Sequence, residues 1–575
     1  MSQAAFLRAI CAQPEQLTPR LVFADWLDEQ GQPRAAAWAE CIRAQCRLLE
    51  LPIDHPAWLP THLRSQALIA RWGKGWLGPT RQHLRRWYFR AGLVESIVVD
   101  ADVFLLHADA IVAATPVQQV RLVQVNRVAW PNLLATLARL RIPRLDLRHE
   151  PVTPFRLEEL ARSPYAAHLT ALGLRGTGVS NTGGIQRFAD FSTFPNLTEL
   201  DLSDERISAD RGGAGLDRYD TAQTDEYWDY RRQHAAAALR PADVQRFAES
   251  PHYPRLTALS LANHGAGVVR GLAGTPLLAR LEALDVSGCV IADPTLFRSP
   301  VCQRLRHLNL GRIFAGNAEG VRRVVETVAN SPALNGLRVL DLSGLNSRHG
   351  THLHVAQILA RGGGLERLAV LRLAGCQVDV DGVAALARAE WPHLRQLNLN
   401  ENFFGNRGLL EMLGAAWLPQ VQALGVSGPG STLGRPDASW LDEQVAERLA
   451  DAPLAALVSL DLSFQAISAA NVVRWATAPA LQALQALWLT GNRQNLAGSV
   501  AALVTAECWP QLQLLDVRGP TLPPDSTQRL RQRFGVGVRY GRAPSGQYRP
   551  AYWPADEVYD KYADATVSDV EANDW

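Results

Sequence analysis

The chain has 575 residues, 47% of them hydrophobic and 20% charged, with 43 glycines and 34 prolines. This is the composition of a globular protein with a large core, and it excludes a disordered or fibrous chain. Lys and Arg number 58 against 56 Asp and Glu, a formal charge of +2; that balance does not call for nucleic acid as a partner, and no run of about 18 apolar residues predicts a membrane span.

The N-terminus, MSQAAFLRAICAQPEQ, lacks the basic start, continuous apolar stretch and small-residue cleavage site of a secretory signal. The seven cysteines (Cys11, Cys41, Cys46, Cys289, Cys302, Cys376 and Cys508) are odd in number and fit no disulfide or zinc spacing. Together these features predict a reducing, cytoplasmic location. Leu21, Val22, Trp26 and Leu27 have helical spacing, Gly31–Pro33 breaks the run, and Trp38, Cys41, Ile42 and Cys46 predict a second helix. This small hairpin, RLVFADWLDEQGQPRAAAWAECIRAQ, resembles a bacterial repeat-companion domain, a short module that precedes repeat arrays. The resemblance rests on Leu21, Asp25, Trp26, Leu27, Gly31, Pro33, Glu40, Ile42, Arg43 and Gln45. The chain departs from that family where AAAWAEC replaces a single acidic-aromatic step after the proline. The resemblance implies architecture and lineage, and no catalysis. We assign residues 1–92 to this helical domain and a linker. Arginines from Arg64 to Arg90, with Trp72, Trp76 and Trp87, have the composition of a nucleic-acid surface, but the near-neutral charge and the acidic C-terminus favour a structural role.

From residue 93 to 535 an apolar-x-x-apolar-x-apolar hexad recurs. Its copies begin at Val117, Ile142, Leu169, Leu197, Leu256, Leu281, Leu305, Leu337, Leu368, Leu394, Val421, Leu457, Leu484 and Leu512. Within each hexad the apolar residues alternate as in a short strand buried on one face, and the following stretch carries helical spacing, as at Val383, Leu386 and Ala387. A strand and a helix of this size cannot bury both apolar faces alone, so neighbouring units must stack. The pattern resembles the leucine-rich repeat family, in its ribonuclease-inhibitor-like class. That implies an α/β solenoid: a horseshoe with a concave parallel sheet and convex helices, here preceded by the small helical domain. Three residues after the last strand leucine, the family places Asn or Cys. Here Cys289, Cys376, Asn402 and Asn492 match, whereas Thr177, Glu205, His264 and Pro429 do not.

The fifth hexad residue points away from the helices and is expected on the open concave face. The column contains Asp201, Asp285, Asp341, Arg372, Asp461, Trp488 and Asp516, which we take as a candidate protein-binding track suited to a basic protein segment. The alternative is a solvated family default. One interval between hexads is much longer than the rest and predicts an insertion near 204–239. Its Tyr219, Tyr227, Trp228 and Tyr230, set among acidic residues, form a second candidate contact region. His349, His352 and His354 are the sharpest metal candidate, but the spacing lacks a fourth ligand and solvated or capping histidines are the plainer reading. Cys289 and Cys376 are read as packing residues rather than nucleophiles. Residues 536–575 lose the repeat and form an acidic, aromatic tail, with seven carboxylates from Asp556 to Asp574.

No phosphate-binding loop, GxSxG elbow, HExxH or paired CxxC is present. The expected function is therefore a non-enzymatic scaffold that binds another protein, with no cofactor, metal, nucleic acid or membrane. The alternative is a regulatory or sensor subunit of a bacterial signalling or defence assembly, controlled by its tail or insertion. A metal-dependent enzyme ranks last.

Overall fold

In the computed structural model the described residues are 2–177, 179, 184–190, 194–204, 239–265, 267–345, 353–428, 441–465, 467–492, 496–505, 509–519 and 522–540. They fall into two compact units, one holding residues up to Glu50 and Trp72–Leu308, the other holding Leu51–Arg71 and the chain from Asn309 onward.

The first unit opens with three helices, α1 (Gln3–Ala12), α2 (Thr18–Glu29) and α3 (Pro33–Glu50). Gly31 takes φ +66 between α2 and α3, which is why the helical run stops there. Phe23 of α2 meets Trp38 of α3 edge to face at 5.3 Å between ring centroids. The helices dock on a hairpin of β1 (Arg86–Arg90) and β2 (Leu93–Asp100), the unit's antiparallel pair. Its two-residue loop, Ala91 and Gly92, has positive φ at both positions, the geometry that suits the twist of the strands. Arg20 of α2 is fully buried. It pairs with Glu95 of β2 at 2.6 Å and donates to Ala91 O at 3.3 Å and Pro14 O at 2.7 Å. Trp38 donates its indole N–H to Gly92 O at 2.8 Å, and the Gln45 amide oxygen accepts from Gly92 N at 2.8 Å.

Parallel strands follow, one per repeat: β3 (Gln119–Val123), β4 (Arg144–Asp146), β5 (Ala171–Gly173), β6 (Glu199–Asp201), β7 (Ala258–Ser260), β8 (Ala283–Asp285) and β9 (His307–Asn309). β6 pairs directly with β7, Leu200 opposite Leu259, so the 205–238 stretch puts no strand between them. The tyrosines and tryptophan singled out there lie outside the described residues.

The second unit repeats the arrangement with β10 (Val339–Asp341), β11 (Val370–Arg372), β12 (Gln396–Asn398), β13 (Ala423–Gly425), β14 (Ser459–Asp461), β15 (Ala486–Trp488), β16 (Leu514–Asp516) and β17 (Val538–Arg539), each parallel to the next. Within each repeat the strand occupies the third to fifth hexad residues, because the first, fourth and sixth must all face the helices. Leu337, Leu340 and Leu342 are wholly buried, as are Val324, Val325 and Val328 of the helix Ala318–Ala329 that follows β9. Each such side chain contributes about 1.5–3 kcal/mol on burial. Side-chain caps start these helices where the sequence places Asn, Asp or Ser: Asn317 accepts from Gly320 N, Asp379 from Gly382 N and Asp442 from Val445 N, all at 2.8–2.9 Å. Each unit is thus an α/β stack of strand–helix repeats on a parallel sheet, the arrangement the leucine-rich hexads predict. β1, β2 and β17 are strands outside the fourteen hexads.

Candidate functional site

The repeat ladder can be built from single side chains. Three residues beyond the last strand leucine, Asn402 uses its whole amide. Its Oδ1 accepts from Cys376 N at 2.9 Å and Val378 N at 3.0 Å, and its Nδ2 donates to Leu373 O at 2.8 Å and Leu399 O at 2.9 Å. Asn492 repeats this with Gln465 N, Ile467 N, Leu462 O and Leu489 O. Other side chains at this position reach across in the same way, the mismatched His264 among them. His264 Nε2 donates to Leu202 O at 2.7 Å, Gln465 Nε2 donates to Val426 O, and the Cys289 and Cys376 thiols donate to Leu261 O at 3.0 Å and Leu342 O at 3.1 Å. Each satisfies a carbonyl of the preceding repeat. The ladder that looks degenerate in sequence is continuous at these positions. Burial pushes the Cys376 thiol up to about 12, the direction opposite to that of a reactive thiolate.

Much of the fifth-position column does not face open solvent. Asp146, Asp201, Asp461 and Asp516 are only 1–2% exposed, Arg372 5% and Trp488 4%. The reason is local. Each column carboxylate turns back along its own chain and accepts the backbone N–H two residues on: Arg148 N to Asp146 at 2.9 Å, Ser203 N to Asp201 at 2.9 Å, Ser287 N to Asp285 at 2.8 Å, Ser343 N to Asp341 at 2.8 Å, Ser463 N to Asp461 at 3.0 Å and Arg518 N to Asp516 at 3.1 Å. Asn309 and Asn398 do likewise with Gly311 N and Asn400 N. Arginines neutralise four of these carboxylates: Arg148 on Asp146 at 2.8 Å, Arg175 on Asp201 at 3.3 Å, Arg372 on Asp341 at 3.3 Å and Arg518 on Asp516 at 3.0 Å. At Asp201, Asp461 and Asp516 the expected exposure is not found, whereas Asp285 and Asp341 stay half-buried. The column's aspartates shape the turn that leaves each strand, and Arg372 is a partner within the column. Trp488 sits in register between Asp461 and Asp516 and is buried.

Asp461 forms no ion pair among the described residues. It accepts Asn400 Nδ2 at 2.9 Å, and burial pushes its carboxyl up to about 6. Asp285 likewise forms no ion pair among the described residues. Around it, Ala258, Ser260, Ala283 and His307 are only half-buried, making this the more open part of the first unit's strand face.

His354 precedes the helix Val355–Arg361 at φ +51, whereas His349 and His352 lie outside the described residues. Among the described residues no three His, Cys, Asp or Glu side chains gather as for a metal, and no helix is long and apolar enough to cross a membrane. In the arginine-rich stretch, Trp76 stacks on Trp38 at 5.6 Å, Arg81 lies 5.8 Å over Trp87 and Arg85 pairs with Asp100 at 2.7 Å.

Comparison with known protein families and with curated proteins returns no match. Among solved structures, a chain from the crystal structure of the Rad7 and Elc1 complex in yeast is similar at 14% identity and a TM-score of 0.39, over 69% of this chain and 87% of that one.

Proposed function

We propose that the chain is a non-enzymatic protein-binding scaffold whose partner docks on the strand face of β7 and β8. The observation that carries this is the contrast in cover along the first unit. Arg121, Asp146, Ala171 and Asp201 are buried, while Ala258, Ser260, Ala283, Asp285 and His307 stay partly open. Small side chains there let another backbone approach closely, and Asp285, whose charged neighbour Arg175 is paired with Asp201, suits a basic residue of the partner. The insertion with Tyr219, Tyr227, Trp228 and Tyr230 falls, in sequence, between β6 and β7 and is a second candidate contact region. Helices α1–α3, fastened to the first hairpin, act as the cap a repeat array needs at its end, in keeping with a bacterial repeat-companion domain and a cytoplasmic setting.

The test is a photo-crosslinking residue placed at Ser260 or at Ser287 in the native cell, with the exposed helical position Arg246 as control. A discrete protein adduct at the first two positions and none at the third is the expected result, and Asp285→Ala should weaken it and reduce its salt dependence. Equal labelling at all three positions would defeat the reading.

A further inference from the structure

Number the hexad residues one to six. Position two lies at the start of each strand and position three on the face turned from the helices. In the second unit the position-three side chains Val339, Val370, Gln396, Ala423, Ser459 and Ala486 are at most 1% exposed, whereas their counterparts Ala258, Ala283 and His307 in the first unit stay partly open. The unit's own helices sit on the other face and cannot supply this cover. Among the described residues of the second unit two stretches lie outside the repeats: the end of the chain with β17, which extends the sheet beside β16, and Leu51–Arg71.

Leu51–Arg71 touches position two of two repeats. Asp54 pairs with the Arg338 guanidinium ahead of β10, and Pro56 O accepts from Gln422 Nε2, ahead of β13, at 2.6 Å. The helix α4 (Trp58–Trp76) then begins. From Trp58 to Ala70 no residue is exposed, and Trp58, Leu59, His62, Leu63, Gln66 and Leu68 are buried. At about 100° per residue these positions span more than half the helix circumference. The helix is thus enclosed over more than half of its circumference, polar His62 and Gln66 included.

The strand face itself carries unmet polar groups: the Gln396 amide, at both its oxygen and its nitrogen, Ser459 Oγ, Arg395 Nη1 and Gln485 Oε1 are buried and have no hydrogen-bonding partner among the described residues. Unmet groups of this kind raise the free energy of the occupied state, so a helix offering polar groups to them would bind better. We propose that Leu51–Arg71 is a tethered ligand of the second unit's strand face. The face receives an amphipathic protein helix that carries an acidic residue just before its first turn, for Arg338, and amide or hydroxyl side chains for Gln396 and Ser459. This seat is separate from the β7–β8 surface and does not depend on it.

The test uses the full chain, hydrogen exchange and a fluorescein-labelled synthetic peptide of residues 51–71. Wild-type protein should exchange slowly over 51–71 and leave the peptide unbound. Asp54→Arg should speed exchange there by about tenfold or more while β10–β16 stay protected, and it should bind the peptide, whose own aspartate still fits Arg338. Combining Asp54→Arg with Arg338→Asp should restore slow exchange and exclude the peptide. Unchanged exchange in Asp54→Arg, loss of protection in β10–β16 together with 51–71, or failure of that variant to capture the peptide would each overturn the proposal.

Discussion

Two buried charges show how differently this fold handles the same problem. Arg20 and Glu95 are buried together, and burial raises the Glu95 carboxyl while Arg20 opposes the shift. Arg20→Leu leaves the carboxylate alone in the core and should cost about 3 kcal/mol or more, read as a lower urea midpoint; adding Glu95→Gln should recover part of the loss. Asp461 has no cationic partner among the described residues and holds its proton to about pH 6, against 3.8 for the ordinary side chain. The folded state thus binds this proton more tightly than the unfolded chain does. The site favours folding at low pH, and that advantage fades as pH rises from about 4 to about 6, by on the order of 2–3 kcal/mol. Asp461→Asn removes the titration, so its stability relative to wild type should improve across that window. Parallel thermal melts at pH 4.5 and 7.5 check this, and a pH-independent difference would refute it.

Among the elements, the repeat is held by the residue three beyond each strand. Asn402→Ala removes five hydrogen bonds at once and leaves Cys376 N and Val378 N without their acceptor. A loss of about 2–4 kcal/mol is expected, measurable by chemical denaturation. Asn402→Asp keeps the acceptor and loses the donor, so it should fall between the two. The sequence pattern placed the fourteen hexad strands at the positions the structure gives them, because alternating leucines admit one register. It did not reveal that His264 and Gln465 serve as ladder residues, since their equivalence lies in where a donor atom reaches and not in residue type. β17, only two residues long, carries too little pattern to be found.

For the molecule as a whole, repetition sets the energetics: each unit leans on its neighbours, so stability is close to a sum of repeat and interface terms. What differs along the array is cover, and cover selects where another protein has room. In the first unit the more open stretch is at β7 and β8. In the second the third hexad position is buried over the length of β10–β15 and the fifth from β11 to β15, which is why Trp488, on sequence grounds a contact residue, is a buried one.

Sequence alone determined the repeat, its strands, the α/β solenoid and the structural standing of the cysteines, because apolar periodicity is a local property that any stacking of the units must satisfy. Only the tertiary structure decided the fate of the fifth-position column. Whether an aspartate faces a partner or turns to its own backbone depends on the turn after the strand, on arginines such as Arg175, which lies 26 residues before Asp201, and Arg372, 31 after Asp341, and on what else in the chain lies over that face. Those are distances in space, and no spacing in the sequence encodes them.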